Sequence, residues 1–328
     1  PGTMNTTTNA SNCGINFKPG SDLLMAIYII VFVVGLIVNL ITLGPIIQQV
    51  RSRNVLGVYL LNLSISDLLY ILTMPLWIHY YHNDHVWTLG RPACLIAGFV
   101  FYSNLYVSIG LLCCISVDRC LAVKYPLHVK VFRKRRYACI LSAVVVLVVM
   151  GTHAVAAWLN HDFKAQKRCY ESYPLSVHVA RVNLIRVAFG FLVPLLLLTF
   201  CYFKMFQGVQ KSIGVKDQGK RKVKLLSIAV IVIFSFCFAP YHIILLLRTV
   251  VFYHQANSCP FEDQVYHYFS VSLAMSILNS VVDPILYVLL SNGVKEDMKN
   301  MANFHFRRKK QLGSRTVSIL STRIQDWQ

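Results

Sequence analysis

The chemistry-bearing residues of this chain are few, and most stand where a charge is expensive. Two carboxylates, Asp67 and Asp283, one arginine, Arg186, and the adjacent pair Asp118 and Arg119 fall inside or at the ends of long apolar runs. In hydrocarbon each such charge costs on the order of 2.5–3.5 kcal/mol, so each needs a reason to be there. Asp67 and Asp283 lie among small polar residues, Ser64, Ser66, Asn104, Ser108, Asn279 and Ser280. Brought into one pocket, the carboxylates could hold a cation such as Na⁺, with Asn104, Ser108 and Asn279 completing the shell, or share a proton. The bland alternative is a hydrogen-bonded packing network, disfavoured because unpaired buried carboxylates are so costly. Seven of the 11 histidines, His79, His82, His85, His161, His178, His254 and His267, gather near the ends of the apolar runs on one side. Histidine changes charge near pH 6.5, so their mutual repulsion on protonation could rearrange that face. Equally, histidines in polar loops are often merely solvated.

The elements that must position these groups are helices that cross a bilayer. The chain is 328 residues long, 56% hydrophobic and 14% charged, with a mean hydropathy of +0.55. Seven apolar runs long enough to span about 30 Å of hydrocarbon occupy Leu23–Val50, Val55–Tyr81, Cys94–Val117, Tyr137–Leu159, Val182–Phe203, Leu225–Leu247 and Gln264–Leu290. This predicts an all-α membrane protein with a seven-transmembrane bundle over 23–290. Several runs exceed the roughly 20 residues a span requires, so some helices should tilt or project. Pro194, Pro240 and Pro284 interrupt the last three runs and predict kinks.

Charge placement gives the polarity. Of 32 Lys and Arg, 24 lie between or after alternate runs: Arg51 and Arg53, Arg119 through Arg136, Lys204 through Lys224, and Lys295 through Arg323. By the positive-inside rule this side is cytoplasmic, which leaves residues 1–22 outside. Two glycosylation sequons at Asn5 and Asn9 agree, and the histidines then fall on the outer face. Helix one is the expected insertion signal, because no short h-region precedes it. Cys13, Cys94, Cys169 and Cys259 fall on the oxidising side and could form two disulfides, with three pairings open to counting. The formal net charge of +19 would suggest nucleic acid in a soluble chain, but here the basic residues sit between spans and suit anionic lipid or an acidic partner, and no nucleic acid is expected.

From about Asn39 to Phe304 the residues match signature positions of one family, in order and on every span but the fourth. They are Asn39 in Gly-Leu-Ile-Val-Asn, Asn62-Leu-Ser-Ile-Ser-Asp67, Trp87 with Cys94, Asp118-Arg119-Cys120, Pro194 with Tyr202, Phe234-Ser-Phe-Cys-Phe-Ala-Pro240, and Asn279 with Asp283-Pro-Ile-Leu-Tyr287. The chain resembles rhodopsin-like (class A) G-protein-coupled receptors. The resemblance implies a plasma-membrane, multi-pass receptor rather than an enzyme, passing an extracellular signal to a heterotrimeric G protein. Asp118 and Arg119 then resemble the family's switch pair, with Tyr202 and Tyr287 as partners of Arg119 in the active state. Phe234, Phe238 and Pro240 resemble the toggle and hinge of helix six, Phe238 standing where many members carry Trp. Cys94–Cys169 resembles the bridge from helix three to the second outer loop. Residues 291–304 resemble an amphipathic helix on the inner leaflet, and the 305–328 tail, with Ser314, Thr316, Ser318, Ser321 and Thr322, would recruit arrestin once phosphorylated.

Within the family, Asn54-Val-Leu-Gly-Val-Tyr-Leu, Leu112 through Arg119, Pro240-Tyr-His242 and Val282 through Tyr287 resemble the proton-sensing and lysolipid subgroup. Trp87-Thr-Leu-Gly and Lys222-Val-Lys with Ser227-Ile-Ala-Val resemble its outlier, linked to lysophospholipids and oxidised fatty acids. Cys13–Cys259 would then be the subgroup's second bridge. Two departures weigh against a strong proton response. Val149 stands where strong sensors carry glutamate, and Ser270 where they carry histidine, with His267 one turn outward. Two more, Cys120 after Asp-Arg and the basic Lys220-Arg-Lys222, remove the acidic clamp expected to hold Arg119 at rest, and predict noticeable basal activity.

An anionic lipid is the other candidate signal. Arg186 and Arg248 point by position toward an outer cavity walled by Phe101, Tyr102, Tyr106, Phe189 and Tyr268, with His242 below. Such a site would bind a carboxylate or phosphate while the aromatic rings hold a tail. Alternatively Arg186 pairs with Glu171 or Asp263 and closes the pocket. A constitutively active receptor with a structural lipid and no proton sensing is the third reading. A retinal pump is excluded because Gln264–Leu290 lacks a lysine, and no cofactor beyond the Na⁺ is expected. Intramembrane aspartyl proteases carry their acids in Tyr-Asp and Gly-x-Gly-Asp contexts, which Asp67 and Asp283 do not share. Transporter-like internal repeats are not visible.

Overall fold

The computed structural model describes residues 13–18, 20–124, 134–159, 168–171, 173–211, 217–255 and 257–290. Among these, seven helical spans are long and apolar enough to cross a membrane. Helix α1 is Ser21–Arg51, α2 Val55–His82, α3 Gly90–Lys124 and α4 Arg135–Leu159. Helix α5 runs through Val177–Val187, a π turn at Ala188–Leu192, and Val193–Lys211. Helix α6 is Asp217–His254, and the seventh span is divided into α7, Cys259–Ile277, and α8, Asn279–Leu290. At 1.5 Å per residue the 31 residues of α1 reach about 46 Å, so it projects beyond the hydrocarbon, as its excess length predicts.

Every span extends past the predicted run on at least one side because polar residues at the ends sit in water or are neutralised. Helix α6 gains Asp217 through Lys224 at one end, and α7 begins at Cys259 with Pro260 in its first turn. Local capping explains some starts. The Asn54 side chain accepts from the Leu56 amide at 3.1 Å, and Ser176 caps α5 through the Val179 amide at 3.4 Å. Helix α3 is the axis of the bundle, with 83% of its apolar window buried, whereas α4 is peripheral at 11%.

Each proline removes a backbone donor, and the structure shows where one of the freed carbonyls goes. Pro284 cannot bond the Ser280 carbonyl, which instead accepts from Asn39 Nδ2 of α1 at 2.8 Å. The signature asparagine of α1 thus closes a gap made by the signature proline of α8. The break in the seventh span falls at Leu278, six residues before the predicted kink at Pro284. In α5, the carbonyl four residues before Pro194 belongs to Gly190, and the helix answers with the π turn at Ala188–Leu192.

Two disulfides, Cys94–Cys169 and Cys13–Cys259, lie at one end of the bundle. The first pins the loop before α5 onto α3. The second holds the segment before α1 across the bundle mouth, where Ile15 and Phe17 pack on Tyr173 and Tyr266 in a small apolar cluster of their own. Asn5, Asn9, His161, residues 291–304 and the tail lie outside the described residues, as does the side chain of Tyr287.

Candidate functional site

At the disulfide end the helices enclose a cavity of about 100 Å³, bounded by α3, α4, the loop before α5, α5, α6 and α7. That volume suits a compact charged group; drug-sized pockets run roughly 300–1,000 Å³. Tyr102, Arg186 and Arg248 all line it. The two arginines differ in their surroundings. Arg248 is buried, donates from Nε to Glu262 Oε2 at 2.7 Å, and is sandwiched between the rings of Tyr173 at 4.7 Å and Phe269 at 4.4 Å. Its charge is neutralised within the wall. Arg186 lies over the Tyr102 ring at 4.1 Å, and its buried Nε has no hydrogen-bond partner. Of the expected partners, Glu171 bonds His85 and Asp263 is exposed. Outside the spans, burial pushes the Tyr170 phenol up to about 12, so this wall residue stays neutral.

Among the expected aromatic walls, Phe101, Tyr102 and Tyr106 are buried, Phe101 lining a smaller adjoining space with Trp77 and Tyr28. Phe189 and Tyr268 correct the expectation, since they are 71% and 70% exposed and face away from the bundle. The π turn advances the inward face of α5, so Gly190 and Phe191 point in where Phe189 was expected. On α7 the buried Tyr266 and cavity-lining Phe269 share the inner face, leaving Tyr268 outside. His242 is buried beneath the cavity, with Nε2 at 3.2 Å from the Tyr106 hydroxyl.

The histidines do not behave as one repelling group. His82, His254 and His267 are exposed, and His79 bonds Thr88 and Asn83 at 2.8 and 2.9 Å. His178 lines the cavity with its Nε2 unpartnered. Of the six described outer histidines only His85 is fully buried. Its Nδ1 lies 2.8 Å from Glu171 Oε1 and its Nε2 2.9 Å from the Tyr266 hydroxyl, inside rings of Phe17, Tyr80 and Tyr81. Its neighbour is a carboxylate rather than another histidine, so protonation there strengthens a contact instead of creating repulsion.

Deeper in the bundle, Asn104 Nδ2 donates to Asp67 Oδ1 at 3.0 Å and to Ser66 Oγ at 3.1 Å. Asp283 faces the interior from α8, lining a small void with Asn279 and Phe238. Asp67 Oδ2, Asp283 Oδ2 and Ser108 Oγ are buried without hydrogen-bond partners, as is Asn279 Nδ2. These orphaned oxygens suit a hard monovalent cation. No cluster of three or more His, Cys, Asp or Glu side chains placed to hold a metal ion exists among the described residues. At the far end Asp118 is buried, Arg119 is half-buried, and the Ser116 hydroxyl donates to the Tyr202 hydroxyl at 3.2 Å. Phe234 meets Phe238 at 5.1 Å and stacks on Phe191 at 6.0 Å.

Residues 38–287 match the family described as "7 transmembrane receptor (rhodopsin family)". The chain belongs to that family. Among its relatives, the mouse "Probable G-protein coupled receptor 132" is 38% identical over 92% of this chain and 78% of its own length. The human "G-protein coupled receptor 68" is 33% identical over 92% of this chain and 82% of its own. The human "Lysophosphatidic acid receptor 6" is 32% identical over 92% and 89% respectively. The protein is thus a multi-pass membrane receptor of the rhodopsin family and not an enzyme.

Several residues of this receptor's site were missed in the sequence. Glu262 was passed over because it precedes the uncharged run of the seventh span, although its spacing from Arg248 across a short connection is a legible sign of pairing. Glu171, Tyr173 and Tyr266 come together only through the loop and disulfide geometry. His153 stacks on Tyr102 at 6.0 Å and Tyr106 at 5.4 Å, and bonds the Val149 carbonyl at 2.9 Å. A lone histidine in an apolar run was the available signal.

Proposed function

We propose that this receptor responds to an anionic single-chain lipid and passes the signal to a heterotrimeric G protein. The observation that carries the reading is Arg186, a half-buried guanidinium lining a cavity with a buried Nε that no protein acceptor satisfies. A carboxylate or phosphate would satisfy it with a charge-assisted bond. Tyr102 beneath the guanidinium and the small cavity volume suit a headgroup, with the tail leaving between helices. The similarity to a receptor named for lysophosphatidic acid supports the same chemical class. The disulfide end faces outside, the basic end faces the G protein and, through the tail, arrestin, and Asp67, Asn104, Ser108, Asn279 and Asp283 hold Na⁺ in the resting state. The test is G-protein activation in cells under delipidated serum, with oleoyl lysophosphatidate or a hydroxylated linoleate added. Wild type should respond and Arg186→Gln should need at least about tenfold more ligand, the effect of one charge-assisted hydrogen bond. An unchanged dose response in Arg186→Gln at equal surface expression would remove this reading.

A second reading, acid sensing, is favoured by the buried His85–Glu171 contact. A proton on His85 would turn its hydrogen bond to the Glu171 carboxylate into an ion pair and tighten the end of α2 against the loop. The two signals need not exclude each other, because the residues are separate.

A further inference from the structure

One helical turn along α3 from the cavity-lining Tyr102, the buried Tyr106 is held in a close setting. A Cβ on Gly190 would come within 2.4 Å of its ring, so only glycine in the π turn lets the ring lie there. Gly190 is one turn from Arg186 on α5, and Tyr102, over which Arg186 lies, is one turn from Tyr106 on α3. Tyr106 therefore lies about one helical turn deeper than the guanidinium that would take an anion.

Its hydroxyl lies 3.2 Å from His242 Nε2 and also neighbours the Tyr241 phenol, and His242 Nδ1 lies 2.7 Å from the Phe238 carbonyl. A carbonyl only accepts, so in the neutral ring Nδ1 carries the proton, Nε2 is the acceptor and Tyr106 is the donor. Phe191 stacks on His242 at 4.8 Å with an 11° angle and also on Phe234, which meets Phe238. One hydrogen-bonded chain thus runs from Tyr106, beneath the cavity-lining Tyr102, to the α6 backbone at Phe238.

We propose that the Tyr106–His242 hydrogen bond is the trigger of this receptor: an anion at Arg186 draws the Tyr106 hydroxyl away from His242, and the lost bond frees α6 at Phe238. An anionic acceptor outcompetes a neutral imidazole for a phenol donor, since hydrogen bonds to charged groups are roughly twice as strong. His242 acts as a positioning residue that reads Tyr106 without touching the ligand. The ligand half rests on the anion reading of Arg186, whereas the coupling of Tyr106 and His242 to α6 is testable without any ligand.

The full-length receptor is expressed at matched surface levels as wild type, Tyr106→Phe, His242→Phe, the double variant, His242→Gln and Gly190→Ala, and basal G-protein activation is read. Each single Phe variant should raise basal activity about fivefold, the shift released by one neutral hydrogen bond in a two-state equilibrium. The double variant should match the singles, because both remove the same bond. His242→Gln, whose amide oxygen can accept from Tyr106, should stay near wild type. Gly190→Ala, which displaces the ring without touching a polar atom, should resemble Tyr106→Phe. Wild-type basal activity in both Phe variants, or additive effects in the double, would overturn the trigger. Oleoyl lysophosphatidate should add little in either Phe variant, and a response to it that survives Arg186→Gln would overturn the anion's part while the basal comparison still reads the Tyr106–His242 bond.

Discussion

Arg186 and Arg248 face one cavity, yet the structure gives them different work, and the difference lies in one carboxylate. Glu262 takes the charge of Arg248, so Arg248→Gln leaves Glu262 buried and unpaired. Breaking such a pair costs about 3–5 kcal/mol, so this variant should lose folded, surface-expressed receptor, measured by cell-surface labelling. Arg186→Gln strands no acid and should fold normally while losing anion response. His85 makes a separate prediction. His85→Phe keeps the aromatic surroundings but removes the contact to Glu171, so a rise in signalling on acidification should disappear. Substituting the exposed His82, His254 and His267 together should leave it intact, and a loss there instead would transfer the role to them.

At the scale of elements, the segment before α1 and the loop before α5 act as one cover. Phe17 packs between Tyr173 and Tyr266, receives the Arg168 guanidinium at 3.5 Å, and meets the His85 ring at 5.5 Å. The cover is tied to α7 by Cys13–Cys259. Cys13→Ser should therefore lower stability by about 2–4 kcal/mol, read as a drop in melting temperature of the purified receptor, and should admit water to His85. The pH response of that variant should speed up or broaden, whereas an unchanged pH response would separate the cover from the histidine. The π turn of α5 is the other decisive element. Period-3.6 reasoning places Phe189 inside, and only the extra residue per turn before Pro194 brings Gly190 and Phe191 inward.

For the whole molecule, the question is what holds α6 against the bundle at rest. Lys220 at its basic end bonds the Gln210 carbonyl of α5 at 3.3 Å, and Arg221 and Lys222 follow it. Lys220-Arg221-Lys222 put positive charge where an acid on α6 could hold it to α3, so basal signalling should be noticeable. Lys220→Glu should lower it severalfold in cells under delipidated serum, and an unchanged level would mean that the bundle core sets the balance. The number of spans, the family, the four bridging cysteines and the intramembrane carboxylates were legible in the chain itself, because apolar length, basic asymmetry and motif order are one-dimensional signals. The sequence could not say which arginine is neutralised, which histidine is buried, or that Tyr106 reaches His242. Those depend on which faces meet between helices far apart in the chain, on a π turn that shifts register by one residue, and on a loop folded back by a disulfide, all of which only tertiary packing decides.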